Sequence, residues 1–313
     1  MSIGLSTTSA RALPRSAGLS GVAGPAALLG PEALVDRAQR AGAVGLMLDD
    51  SLPPGYLAEL MVYLAARRAE LPVWAVENVC PAARWAAADL GALDRDEALA
   101  AVEAAEQSIR VAGELAGGEG GAMVLLRLGE VAAIRSRWPA LRRAFLRAEL
   151  DETTLTARLQ RERAAHAPRH VDALRRSLAR LCRAAEAHGV RLGLRNPARP
   201  IGLPSPVELR ALLDDLAGAP IVPALDLGAA HLHDAMEQRP LAETLDGWKG
   251  APLILCADAC GPVAGLPPGR GELDLGAALA TASAEARVVF TPSAILDEGE
   301  ILAGAAALVA LRP

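Results

Sequence analysis

The sequence predicts an α/β protein, a single (β/α)8 TIM barrel spanning residues 1–313 with a helical insertion after the fourth strand. Three observations carry that prediction. Short β-rich apolar runs alternate with longer segments of helical period, eight times from end to end. Prolines, acids and hydroxyl residues stand where helices should start, and glycines stand where they should end. The 313 residues also exceed the typical barrel length of about 250, leaving room for an insertion.

SIGLST (2–7) is the first strand, and Pro31-Glu32 opens the first long helix with proline and an acid in its first turn. Gly42 precedes the second strand, AVGLMLD (43–49), where a left-handed helix end is wanted. PVWAVEN (72–78) is the third, and Asp94 through Glu97 open the following helix with negative charge where the dipole favours it. AMVLLRLG (122–129) is the fourth. The glycine-rich GGEGG (117–121) precedes this strand instead of following it, and the first βα turn has no GxGxxG, which argues against the runner-up, a doubly wound dinucleotide-binding sheet. The segment 132–166 is charged, helical in period and longer than a βα loop needs. It is expected to add a helix over the barrel mouth, with Trp138 placed to cover a ligand. The last four strands, VRLGLRN (190–196), IVPALDL (221–227), PLILCAD (252–258) and ARVVFTP (286–292), include three that follow Gly189, Gly218 and Gly250. Ser205 is the expected N-cap of the helix beginning Pro206-Val207-Glu208.

Composition bounds the function. With 52% hydrophobic and 22% charged residues the chain is globular, and its net charge of −5 argues against a nucleic-acid partner, which needs a basic face. Lys249 is the sole lysine, and the arginine bias is read as compositional. The four cysteines Cys80, Cys182, Cys256 and Cys260 form no CxxC pair, so a reduced, cytoplasmic setting is expected. The N-terminus has no signal-peptide pattern, and no run of about 18 uncharged apolar residues suggests a membrane span. The five histidines, His166, His170, His188, His231 and His233, restrict metal chemistry.

From about residue 167 onward, three segments resemble the xylose-isomerase-like barrels, which include sugar phosphate isomerases, epimerases and endonuclease-IV-like proteins. HGVRLGLRNPARP is similar to a "GVxLxLEN" fifth strand, and PALDLGAAHL to a "DxGH" sixth strand. LILCADACG with GLPPGRGELDLGAAL resembles "HLKD…HxPPGxGxxD". The resemblance implies the barrel fold and a divalent metal at the mouth that polarises a carbonyl or hydroxyl while a carboxylate moves a proton. At the positions implied for that metal's ligands this sequence has Arg195 for a glutamate, Asp226 retained, and Ala229, Leu255 and Gly265 for histidines. Thr291 stands near the eighth-strand glutamate, and Met47 where a second-strand acid is common. The expectation is that this chain binds no metal and no other cofactor.

Period-two alternation and the strand-end rule nominate the site residues. Asp226, Glu77 and Asp258 are the candidate proton-transfer acids. Arg127 and Arg195 are a candidate fork for a carboxylate or phosphate, with Asn196, Asp49 and His231 as further ligand contacts. The bland reading of His231 and His233 is loop histidines at the start of a helix. Two functions stay open. One is a metal-independent isomerase, epimerase or lyase acting on a small polar or anionic carbohydrate-like ligand. The other is a catalytically inactive barrel that binds a ligand or protein partner, its arginines merely neutralising the acids. A homo-oligomer is compatible with either.

Overall fold

The computed structural model describes residues 2–11, 28–50, 52–78, 88–116, 121–234 and 239–311. Among the described residues there are ten strands: β1 (Ile3–Ser6), β2 (Leu46–Leu48), β3 (Val73–Glu77), β4 (Met123–Leu125), β5 (Arg191–Arg195), β6 (Ile221–Asp226), β7 (Leu253–Cys256), β8 (Asp258–Cys260), β9 (Val263–Leu266) and β10 (Arg287–Phe290). Eight of them close a parallel barrel in the order β1-β10-β7-β6-β5-β4-β3-β2. All eight expected strands are therefore found, and the doubly wound alternative is corrected, because β1 pairs with both β10 and β2. The sequence reading missed the antiparallel hairpin of β8 and β9, which follows β7 where a helix was expected.

Two apolar layers hold the barrel. Met47, Trp74, Ala75, Met123, Leu125, Ala224, Leu253, Leu255 and Val289 fill its interior, while the other strand faces pack against the helices. A Cβ added to Gly193 would meet Leu125, Met123 and Ala224, so β5 turns Gly193 inward, and period two then brings Arg195 inward at the rim. Cys256, on the opposite face from Leu255, is buried in the outer layer, where burial pushes its thiol up out of the reactive range. Trp74 lies against Gly45 so closely that a Cβ there would overlap the indole ring. Gly45→Ala should cost about 1–3 kcal/mol in urea unfolding through this overpacking, with a shifted tryptophan emission; unchanged stability would refute the packing argument.

The helix boundaries follow the expected chemistry. α1 (Pro31–Arg40) starts on proline, and α2 (Pro54–Ala65) does the same. α3 (Arg95–Leu115) is capped by Asp94, whose side chain accepts from the amides of Asp96 and Glu97 at 3.0 and 2.9 Å. After β4 come α4 (Ala132–Arg135), α5 (Trp138–Leu146) and α6 (Glu152–His188), the last a single helix of 37 residues with Pro168 inside it. The expected insertion thus has no boundary near 166: its second half is the N-terminal extension of the barrel helix itself. Trp138 is 4% exposed and packs in the outer core, so its indole is not presented for a ligand as expected. Gly189 ends α6 at φ 63°, a left-handed turn in which a side chain would be strained.

α7 (Pro206–Asp215) opens with a capping box between Ser205 and Glu208. α8 (Leu227–Asp234), α9 (Leu241–Gly247), α10 (Leu275–Ala280) and α11 (Glu298–Ala310) complete the outer ring. No described helix is long and apolar enough to cross a membrane. Cys80 and Trp85 lie outside the described residues.

Candidate functional site

Three charged side chains meet where β3, β5 and β6 end. Arg195 sets Nη2 at 2.8 Å from Glu77 Oε1 and donates from Nη1 to Glu77 Oε2 at 3.1 Å, a bidentate pair. Asp226 Oδ2 stands 3.7 Å from the same Nη1. The side chains of Arg195, Glu77 and Asp226 are 32%, 23% and 22% exposed, so the group is sunk in the mouth but not sealed. Burial raises the Glu77 pKa, Arg195 opposes this, and the nearby Asp49, Asp50 and Asp226 carboxylates add to the rise. Burial acts to lower the Arg195 pKa, but Glu77 and Asp226 outweigh it and hold the guanidinium charged.

A cavity of about 500 Å³ opens beside the group. Arg195 and Asp226 form part of its wall, and the loops after β4 and β5 supply most of the rest. Four arginines, Arg127, Arg135, Arg195 and Arg199, share that wall with three acids, Asp89, Glu130 and Asp226. The charges are cross-linked. Arg135 donates to Asp89 and stands 3.5 Å from Glu130 and 3.6 Å from Glu97. Arg199 donates to Glu130 at 3.0 Å. Burial raises the Asp89 pKa, with Arg135 opposing. Sequence reasoning missed Asp89, Glu130, Arg135 and Arg199, which sit on loops or short helices without a strand-end position to flag them.

Several nominated residues are occupied by structural bonds. Asp258 is 1% exposed, and its carboxylate accepts four backbone N–H bonds, from Ala259, Gly269, Gly271 and Leu273 at 2.8 to 3.1 Å. It ties the hairpin to the loop that follows and is not presented to the cavity. Asp49 is buried and accepts from Ser6 Oγ, Thr8 N–H at 2.9 Å and Thr8 Oγ1 at 2.8 Å. The Asn196 side chain is spent on the Asp226 backbone, donating to its carbonyl at 2.9 Å and accepting from its N–H at 2.6 Å. That pair fixes the spacing of the β5 and β6 ends. Arg127 is on the cavity wall with Arg195.

The histidines are dispersed. His170 Nδ1 lies 2.7 Å from the Gly91 carbonyl, and its Nε2 accepts from the Ala132 N–H at 3.2 Å, a structural pairing assigned from the pattern. His231 and His233 belong to the last turn of α8 and are buried, which corrects the expectation of loop histidines at a helix start. His231 Nε2 lies 3.2 Å from Glu272 Oε1, across from the hairpin, and not in the cavity wall. His233 is 2% exposed, and burial, aided by the positive charges of Arg239 and Arg163, pushes its pKa down to about 3. The unfolded chain therefore binds a proton near pH 6.5 that the folded chain refuses until about pH 3, so His233 costs stability progressively as pH falls through that window. His233→Leu should flatten the pH dependence of urea unfolding between pH 6.5 and 4 relative to wild type. Parallel curves would refute the assignment.

The residues do not fit the divalent metal implied by the resemblance. At those positions Arg195 donates hydrogen bonds, Leu255 is part of the apolar barrel interior, and Ala229 and Gly265 offer no ligand. Among the described residues no group of three or more His, Cys, Asp or Glu side chains could hold a metal ion.

No family model matches the chain, and no curated protein sequence matches it. Solved structures do. A D-tagatose 3-epimerase-like protein aligns over 99% of this chain and 97% of its own at TM-score 0.66 and 14% identity. An L-ribulose 3-epimerase aligns over 99% and 93% at TM-score 0.64 and 17% identity. A xylose isomerase domain protein from Planctomyces limnophilus aligns over 100% and 96% at TM-score 0.57 and 13% identity. The chain has the (β/α)8 barrel fold of these proteins. At these identities the likeness speaks for the fold; the mouth of this barrel holds a guanidinium between two carboxylates.

Proposed function

We propose that this barrel binds a small polar, carbohydrate-like ligand in the cavity at its C-terminal mouth, with Arg195 standing where metal-dependent relatives hold a divalent cation. The observation that carries the reading is the cavity of about 500 Å³ whose wall includes both Arg195 and Asp226 and alternates guanidinium donors with carboxylate acceptors. Such a wall suits a polyhydroxylated molecule, whose hydroxyls both donate and accept. Thermal shift against a panel of ketoses, sugar acids and sugar phosphates should reveal stabilising ligands. Ala229→Leu, which narrows the cavity without changing its charge, should remove the shift. A panel without any stabilising member, or shifts indifferent to Ala229→Leu, would overturn the reading.

The chemistry this arrangement supports is proton transfer by Asp226, whose carboxylate belongs to the cavity wall beside Arg195. Asp258 is set aside as a catalytic acid because its oxygens already accept four N–H bonds. A second reading, a binding protein without catalysis, draws on the bidentate hold of Arg195 on both Glu77 oxygens. Ketoses incubated with the protein in D2O discriminate between them. Deuterium entering the carbon next to the carbonyl, and ceasing to enter with Asp226→Asn, supports the enzyme; its absence for every bound ketose supports the binding protein.

A further inference from the structure

We infer that the ligand of this cavity carries a carboxylate, received by the outer edge of the Arg195 guanidinium. The inference rests on the cavity being the ligand site, as proposed above. Arg195 engages Glu77 end-on, through Nη1 at 3.1 Å and Nη2 at 2.8 Å. Glu77 is not part of the cavity wall, whereas Arg195 is. Glu77 therefore takes the two-nitrogen end of the guanidinium and leaves the Nε–H edge of this wall residue unused. Among the described residues, the Arg195 Nε–H has no protein acceptor. An edge made of Nε–H and an outer Nη–H is a planar fork that a carboxylate fills with two parallel hydrogen bonds.

The surrounding charges select the class of anion. Asp226, 3.7 Å from Nη1, and the wall acids Asp89 and Glu130 repel any anion placed there, and they repel a phosphate dianion twice as strongly as a carboxylate monoanion. A neutral sugar avoids this repulsion but leaves the donor edge without a partner. A monoanion with a hydroxylated chain uses both features: its carboxylate meets Arg195, and its hydroxyls donate to Glu130 and Asp89 and accept from Arg127 and Arg199. The assigned ligand class is thus a sugar acid or a hydroxylated keto acid.

Calorimetric titration of the full chain with D-gluconate, D-sorbitol and sorbitol phosphate tests this, in wild type and in Arg195→Lys. Lysine keeps a positive charge for Glu77 and Asp226 but lacks the fork. Gluconate is expected to bind wild type about tenfold tighter than sorbitol and to lose about tenfold in Arg195→Lys, while sorbitol changes little. Equal affinities of gluconate and sorbitol would overturn the carboxylate and leave the cavity standing as a sugar site. Tighter binding of sorbitol phosphate would overturn it in favour of phosphate, and gluconate affinity unchanged by Arg195→Lys would overturn the role of Arg195. Failure of all three to bind would overturn this inference together with the proposed site. Should Arg195→Lys not fold, the wild-type ranking of the three ligands decides the carboxylate by itself.

Discussion

Arg195→Ala is expected to destabilise the protein by about 2–4 kcal/mol at neutral pH in urea unfolding, more than loss of an ordinary surface ion pair. The substitution removes the cation that Glu77 pairs with among the described residues and leaves that carboxylate near Asp226, Asp49 and Asp50 in the mouth. Breaking a fully buried pair costs about 3–5 kcal/mol; the partial exposure of these side chains lets water and counterions recover some of it. The deficit should also depend on pH in a defined direction. Without Arg195, the folded-state pKa of Glu77 rises further above its unfolded value, so the folded variant binds the extra proton. Its stability relative to wild type should therefore improve as pH falls from 7 toward 5. Adding Glu77→Gln to Arg195→Ala should restore part of the loss, because the uncompensated charge has been removed. A loss below about 1 kcal/mol, or strictly additive single variants, would show that the two groups are not energetically coupled.

Asp258→Ala is expected to cost about 3–5 kcal/mol, because each N–H left unsatisfied carries a penalty of about 1–3 kcal/mol and water can reach part of the loop. The four donors come from the start of the hairpin and from residues 269, 271 and 273, so one carboxylate closes the loop onto the barrel. The fit is tight: a Cβ on Gly271 would collide with the Ala259 carbonyl and the Asp258 carboxylate. Asp258→Asn should recover little, since its amide nitrogen would turn a donor toward N–H donors. Amide exchange in 269–273 should accelerate sharply in both variants. Retained protection there, with a stability loss below about 1 kcal/mol, would contradict the structural role. The pair of substitutions also separates two meanings of lost activity: a catalytic acid would abolish turnover in a stable protein, whereas Asp258 should act through the loop.

The barrel was legible because its signals are local and repeated. Each strand is a short apolar run, and Gly42, Gly189, Gly218 and Gly250 all take the positive φ that a left-handed helix end requires. The hairpin of β8 and β9 was not legible, since its strands are only 3 and 4 residues long and are separated by Gly-Pro, which reads as loop. α6 ran through a change of charge pattern that suggested a separate segment, although burial of Leu155 and Leu159 shows that the same helix continues inward. At the site, alternation along strands was enough to bring Glu77, Arg195 and Asp226 to one rim. It could not tell an acid facing the cavity from one consumed by backbone donors, because the N–H groups that occupy Asp258 and the hydroxyls that occupy Asp49 come from chain segments whose approach no periodicity encodes.

On the function proposed above, a guanidinium stands in this mouth in place of a divalent cation. The most direct test is elemental analysis of protein purified without chelators, followed by titration with Mn²⁺ and Zn²⁺. No stoichiometric metal and no saturable binding at Asp226 are expected, with the same result after Asp226→Asn. One equivalent of manganese, zinc, cobalt or magnesium per chain, lost with Asp226→Asn, would contradict the proposal.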